Sequence, residues 1–187
     1  MRVRLRPKWS DDDLKRIYAV PHDSSRWSDH KLRVDTTIQT VKWMEPWSIA
    51  DLSCGDARIA RGAVKDGAEL YLGDYAPGYE FTGPIEETID QIPHVNLVIL
   101  SETIEHLDDP DLVLRKIRAK SDMLVLSTPD GEGIYYPDPG NEQHYWGWTS
   151  EDMHKMLVEA GWNPVVHQSI NFYDPRFIYN FQIWGCG

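Results

Sequence analysis

Ser48-Ile49-Ala50-Asp51-Leu52-Ser53-Cys54-Gly55-Asp56-Ala57 is the stretch on which the fold turns. An apolar run ends in an acid, small residues follow, and a helical pattern then begins. That order reads as a strand, a tight loop and a helix, and it brings backbone N–H groups close to any ligand the loop holds. A dinucleotide fingerprint needs three glycines, and only Gly55 stands here, which disfavours a pyrophosphate ligand. Asp51, at the strand tip, suits a ligand that carries an ammonium and no phosphate.

Outward from this loop, strands and helices alternate. A second strand over 69–73 runs into Asp74, 18 residues past Asp56, where a carboxylate can accept hydrogen bonds from two ribose hydroxyls. Further strands are predicted at 80–82, 95–100, 123–127, 164–169 and 177–184, and helices at 57–65, 109–119 and 150–160. The runs 95–100 and 123–127 are almost wholly apolar, as strands covered on both faces are. Ser150 reads as the N-cap of the last helix and Gly161 as its C′ stop. The pattern predicts an α/β chain: a single-domain, doubly wound, mostly parallel sheet of seven strands, with its ligand at the carboxyl ends of the strands. One connection does not fit. About six residues, Pro77 and Gly78 among them, separate Asp74 from the next strand, whereas a parallel crossover takes a dozen or more. Either the crossover helix is absent there or the third strand is misplaced.

Residues 1–45 read as a helical lead-in or lid, and 46–187 as the ligand-binding core of one domain spanning 1–187. Ser10 and Asp13 make a capping box ahead of Leu14, Ile17 and Tyr18. Ser28 caps a second helix whose apolar positions are Leu32, Val34, Ile38, Val41 and Met44, and Pro46 ends it. A composition of 41% hydrophobic and 26% charged residues excludes a disordered tail, a collagen or a coiled coil. No apolar run approaches the roughly 20 residues of a membrane helix, and the basic start lacks the apolar stretch of a secretory signal. The net charge of −11, from 30 acidic and 19 basic residues, opposes a phosphate-tracking surface, so nucleic acid is not the expected partner. Arg2, Arg4, Arg6 and Lys8 cluster at one end, where they read as a solvated tail or, as the alternative, a local basic pocket. Two cysteines, Cys54 and Cys186, make no disulfide framework and point to a reducing, cytoplasmic setting. Eight tryptophans are enough to line a pocket as well as the core. Oligomeric state is not legible.

Asp51 to Ala57 resembles the first motif of class I S-adenosylmethionine-dependent methyltransferases, roughly acid-apolar-Gly-Cys-Gly-x-Gly, with Ser53 and Ala57 replacing two glycines. The resemblance covers about residues 48–162 and implies S-adenosyl-L-methionine as cofactor. It assigns Asp51, Ser53, Cys54, Gly55 and Asp56 to the cofactor loop, with Asp74 and Tyr75 at the ribose. Pro84 and Ile85 fall at the adenine, and Ser101 beside the loop. In Gly83-Pro84-Ile85, Pro84 stands where the family has an Asp, so that side-chain bond to the adenine amine is lost while Ile85 can still pack on the ring.

Ser101-Glu102-Thr103-Ile104-Glu105-His106-Leu107 is similar to the strand-four motif of the branch that includes ubiquinone-biosynthesis O-methyltransferases. The stretch 124–129, His144, the stretch 148–153 and Ala160-Gly161-Trp162 continue that likeness, while Lys120-Ser121-Asp122 replaces the usual Gly-Gly before strand five. The implied activity is methyl transfer to a small-molecule acceptor, at oxygen. Such a displacement needs mainly proximity and orientation, and a hydroxyl acceptor must also lose its proton. His106 is the candidate base, with a structural link between helix and loop as its other reading. Glu102 is assigned to the methionine end of the cofactor or to the acceptor.

Two other readings stand beside this one. Glu102, Glu105, His106 and His144 also resemble the metal-ligand set of small-RNA 3′-end 2′-O-methyltransferases, although the same spacing recurs in metal-free members. The remaining alternative is a non-catalytic S-adenosylmethionine-binding module. For the acceptor, the lead-in and the turn-rich segment 131–148 are expected to cover the mouth of the site. Tyr135, Tyr136, Trp146 and Trp148 would stack on a planar molecule, and His22, Arg26, Trp27 and His30 would line the same mouth.

Overall fold

The computed structural model describes residues 1–23, 30–136, 141–171 and 180–187. The elements are β1 (Val3–Arg4), α1 (Asp11–Ile17), α2 (Lys31–Trp43), β2 (Ser48–Asp51), α3 (Arg58–Ala63), β3 (Glu69–Asp74), β4 (Phe81–Thr82) and α4 (Ile85–Thr88). Then follow β5 (Val95–Ser101), a 3-10 turn (Ile104–His106), α5 (Pro110–Lys120), β6 (Ser121–Asp130), β7 (Trp146–Gly147), α6 (Ser150–Glu159), β8 (Pro164–Ile170) and β9 (Asn180–Cys186).

Seven strands form one sheet in the order β4-β3-β2-β5-β6-β9-β8. It is parallel from β4 to β6, and β9 runs antiparallel to both β6 and β8. Along the central strands alternate side chains enter different layers, as the two-residue pleat requires. Leu97, Ile99 and Val125 join Val41, Ala60 and Ala63 on the side of α2 and α3. Val98, Leu100, Leu124 and Leu126 join Val113, Leu114, Ile117, Met153 and Leu157 on the side of α5 and α6. Strands covered on both faces carry apolar residues throughout, which is why β5 and the middle of β6 read as continuous runs.

The third strand was correctly placed: β4 pairs with β3 in parallel, Gly73 opposite Phe81 and Asp74 opposite Thr82. No helix spans residues 75–80. A two-residue pairing at the sheet edge needs no full-length crossover, and it resolves the mismatch in spacing.

The last helix begins one residue earlier than its sequence signal. Thr149, not Ser150, is the N-cap of α6, and it forms a reciprocal capping box with Asp152. At the other end, Gly161 takes φ +87°. Its N–H bonds the Val158 carbonyl and that of Trp162 bonds Leu157, both at 3.0 Å, closing a Schellman stop. Ser10 caps α1 as expected, whereas α2 is described from His30 onward and Ser28 lies outside the described residues.

The basic amino-terminal stretch is not a solvated tail. Val3 and Arg4 pair antiparallel with Gly147 and Trp146. Arg4 bonds Asp108 at 2.7 Å and lies over the Trp146 ring, and Arg2 meets Asp111 at 2.6 Å. Gly147 permits this packing, because a Cβ there would overlap the Glu132 carbonyl oxygen. Gly147→Ala is expected to cost about 2 kcal/mol, since backbone rather than a flexible side chain must give way. Urea denaturation reads it, and an unchanged midpoint would show that the 131–136 turn shifts freely.

Candidate active site

The chain winds outward from β2 to β3 and β4, then resumes on the other side of β2 with β5 and β6. Between β2 and β5 the direction reverses, and a crevice opens beyond their carboxyl ends. A cavity of about 1150 Å³ lies there. Asp51 ends β2, Asp74 ends β3 and Ser101 ends β5, and all three line it.

Asp74 braces the loop. Its Oδ2 accepts from the Gly55 N–H at 2.8 Å and its Oδ1 from the Ala76 N–H at 2.9 Å. Each oxygen keeps a second lone pair for a ligand. The Tyr79 hydroxyl donates to the Gly55 carbonyl at 2.7 Å, and Ser53 accepts from Thr103 at 2.8 Å, tying the loop after β2 to the one after β5. Ala57, one of the two replaced glycines, sits at φ +58°. The left-handed turn survives without glycine, at a cost of about 1 kcal/mol. The Cys54 N–H bonds the Gly73 carbonyl at 3.0 Å. Burial, with Asp51 and Asp74 nearby, pushes the Cys54 thiol up to about 12, so it stays a thiol. Asp56, Tyr75, Pro84 and Ile85 also line the cavity, Pro84 as the cap before α4.

Asp51 is 3% exposed. Burial pushes its carboxyl up to about 8, aided by the negative charge of Asp74 and Asp56 and opposed by a bond from the Ser53 N–H. At neutral pH it is mostly protonated, and a cation beside it would favour its ionised form. The opposite charge lies on α2, in a residue the sequence reading missed. Arg33 is 5% exposed and lines the cavity. Its Nη1 donates to Ser101 Oγ at 2.8 Å and lies 3.9 Å from Glu102 Oε1, while its Nε is buried without a hydrogen-bond partner. A signal existed: Arg33, Thr37 and Val41 stand four residues apart, so Arg33 falls on the buried stripe of α2.

Glu102 takes φ +51°, and its carboxylate accepts from Ser127 at 2.9 Å. Burial raises it, while Arg33 and Ser127 hold it back. Of the four residues in the metal-type pattern, Glu105, His106 and His144 come together and Glu102 is not in their cluster. Glu105 is fully buried, and its Oε2 accepts from Thr128 at 3.0 Å. Its Oε1 has no hydrogen-bond partner and lies 3.9 Å from His106 Nε2 and 4.0 Å from His144 Nε2. Burial and the neighbouring Glu102 charge push the Glu105 carboxyl well up. Burial depresses both imidazoles to about 3, so both are neutral. His106 Nδ1 meets the Gln143 carbonyl at 3.0 Å and the Tyr18 hydroxyl at 3.3 Å. Tyr18, read from sequence only as an apolar helix position, thus reaches the cluster.

The expected stacking platform is not there. Trp148 is 1% exposed in the core, its indole donating to Thr128, and Trp146 carries Arg2 and Arg4. Tyr135 is exposed and Tyr136 accepts from Asn180. None of the four lines the cavity: Trp148 points into the core, Trp146 lies under the arginines, and Tyr135 faces solvent. Tyr18, Tyr75 and Tyr145 line it instead, with His22 and His30 from the lead-in. Arg26 and Trp27 lie outside the described residues.

No family model matches the sequence, and no curated protein is significantly similar to it. Solved structures do match. 1,6-Didemethyltoxoflavin-N1-methyltransferase of Burkholderia thailandensis, solved with S-adenosylhomocysteine, is 12% identical with a TM-score of 0.64, over 99% of this chain and 93% of that one. Magnesium protoporphyrin IX methyltransferase of Synechocystis PCC 6803 is 15% identical with a TM-score of 0.64, over 94% and 92%. A small RNA methyltransferase is 16% identical with a TM-score of 0.61, over 82% of this chain, which spans 25% of that protein. The chain therefore has the Rossmann-like fold of these methyltransferases. No helix among the described residues is long and apolar enough to cross a membrane.

Proposed function

We propose that the protein is an S-adenosylmethionine-dependent methyltransferase acting on a hydroxyl of a small molecule, nearest in its motifs to the ubiquinone-biosynthesis branch. One observation carries the reading. A buried acid, Asp51, and a guanidinium whose Nε has no hydrogen-bond partner, Arg33, line the same cavity as the ribose-type acid Asp74. A zwitterionic amino acid joined to a nucleoside fits that charge pattern: ammonium to Asp51, carboxylate to Arg33, ribose hydroxyls to Asp74, and the base beside Pro84 and Ile85. When bound, the cofactor supplies a methyl group on a sulfonium. Ser101 and Ser127 hold Arg33 in place, and Tyr18 and Tyr145 help close the mouth to water. At the far end, the neutral imidazoles of His106 and His144 face the acceptor hydroxyl as proton acceptors, though burial, which depresses both to about 3, makes them weaker bases than the free imidazole that the sequence suggested. Two free, buried thiols, Cys54 and Cys186, fit a cytoplasmic setting. Titration calorimetry with S-adenosylmethionine tests the proposal. Micromolar binding is expected, and no heat at millimolar ligand with folded protein would sink it.

A second reading concerns the reactive end. An orphaned buried carboxylate oxygen facing two imidazole nitrogens suits a divalent ion, which would lower the pKa of an acceptor hydroxyl. Under that reading, turnover falls at least tenfold after chelation and returns with Mn²⁺ or Mg²⁺. Turnover indifferent to chelator would leave the imidazoles as bases. The formal charge of −11 favours a small acceptor over RNA in either case.

A further inference from the structure

His106 has a fixed tautomer. Its Nδ1 lies 3.0 Å from the Gln143 carbonyl, which can only accept, so Nδ1 carries the proton and Nε2 presents a lone pair towards Glu105. His144 is held in a parallel way by a residue the functional reading does not use. Glu132 is 1% exposed, and its Oε2 lies 2.5 Å from His144 Nδ1. The two imidazoles meet edge to face, with ring centres 4.8 Å apart.

Glu132 is placed by the tight backbone around it. It sits between Gly131 and Gly133, both at positive φ, and its carbonyl packs onto Gly147. The Gly131 N–H bonds the Trp148 carbonyl at 2.8 Å. A segment that sequence alone reads as a surface loop therefore delivers a buried carboxylate to a buried histidine.

We propose that Glu132 is the positioning residue of His144: it accepts the Nδ1–H, fixes the ring and its tautomer, and leaves the proton off Nε2, 4.0 Å from Glu105 Oε1. Glu105 Oε1 then has the Nε2 atoms of His106 and His144 3.9 and 4.0 Å away. The inference rests on the reading of this cluster as the reactive end of the cavity. Buried ring N–H groups held by a carboxylate or a carbonyl are the usual means of orienting a working imidazole.

Long-range ¹H–¹⁵N spectra of the histidine rings test it, on wild type, Glu132→Gln and Glu132→Leu at neutral pH. In the wild type, His144 should show a protonated Nδ1 and a bare Nε2. Glu132→Gln keeps an acceptor oxygen and should keep that pattern. Glu132→Leu should exchange the two nitrogen shifts or average them, while His106, held by Gln143, stays unchanged. A wild-type His144 protonated at Nε2, or a folded Glu132→Leu protein retaining the Nδ1–H form, would overturn the proposal. The wild-type spectrum decides even if the leucine variant fails to fold. These spectra need neither cofactor nor acceptor, and S-adenosylmethionine affinity should stay within about twofold in Glu132→Gln. Wild-type protein with the expected tautomer but no cofactor binding would sink the proposed function and leave the role of Glu132 standing.

Discussion

Replacing Asp74 with alanine should weaken S-adenosylmethionine binding about 100-fold, close to 3 kcal/mol. Both carboxylate oxygens already accept a backbone N–H, from Gly55 and Ala76, and each has one lone pair left for a ribose hydroxyl. Hydrogen bonds to a charged acceptor contribute about 1.5–3 kcal/mol each. The substitution removes two such ligand bonds and also frees the Gly55 loop that the same side chain braces. Asp74→Asn keeps one acceptor oxygen and should lose only about tenfold. Calorimetry measures both, with thermal unfolding to show that each variant is folded. Unchanged affinity in the alanine variant would take Asp74 out of the cofactor site.

Cofactor affinity should also rise steeply with pH. The Asp51 carboxyl is pushed up to about 8 by burial, so below that pH it is mostly protonated. A cationic ligand wants the ionised form, and binding must therefore expel a proton. The sign follows: affinity falls about tenfold per unit well below pH 8, and falls again at higher pH as the ligand's own α-ammonium loses its proton. Between pH 6 and pH 7 the gain should be about tenfold. Calorimetry at pH 6 in two buffers of different ionisation heat should register close to one proton released. Asp51→Asn should flatten the profile. A flat profile in the wild type would mean that Asp51 does not face the ligand's positive charge.

What the sequence revealed and what it hid divide along physical lines. Leu97 to Leu100 and the centre of β6 were legible because a strand stretch buried on both faces is apolar at every position. Asp51 and Asp74 were legible because strand ends in this topology converge on one crevice. Arg33 was hidden because a charged residue in a helix is ordinarily solvated, and only its place on the stripe of Thr37 and Val41 marks it as buried. The four-residue α4 and the two-residue pairing of β1 with β7 are too short for any periodicity to build up. Thr149 and Ser150 are both good caps, and the choice fell to Asp152, which is three residues after Thr149 and can complete the box only with it. Glu132 was hidden because a glycine-flanked acid reads as a turn. Its carbonyl packs on Gly147 and its neighbour Gly133 on Leu5, both distant in the chain.

Leu5 has a consequence of its own. Its N–H bonds the Tyr145 carbonyl at 2.8 Å, and its side chain fills the space that a Cβ on Gly133 would need. The amino-terminal strap is thus a wedge driven between the turn that carries Glu132 and the strand that follows His144. Gripping the nucleoside and handling the acceptor are then separable by surgery on the chain. Trimmed of its first nine residues, the protein would keep the cradle built on β2 and β3 and slacken the histidine end, holding its methyl donor with no firm place to spend it.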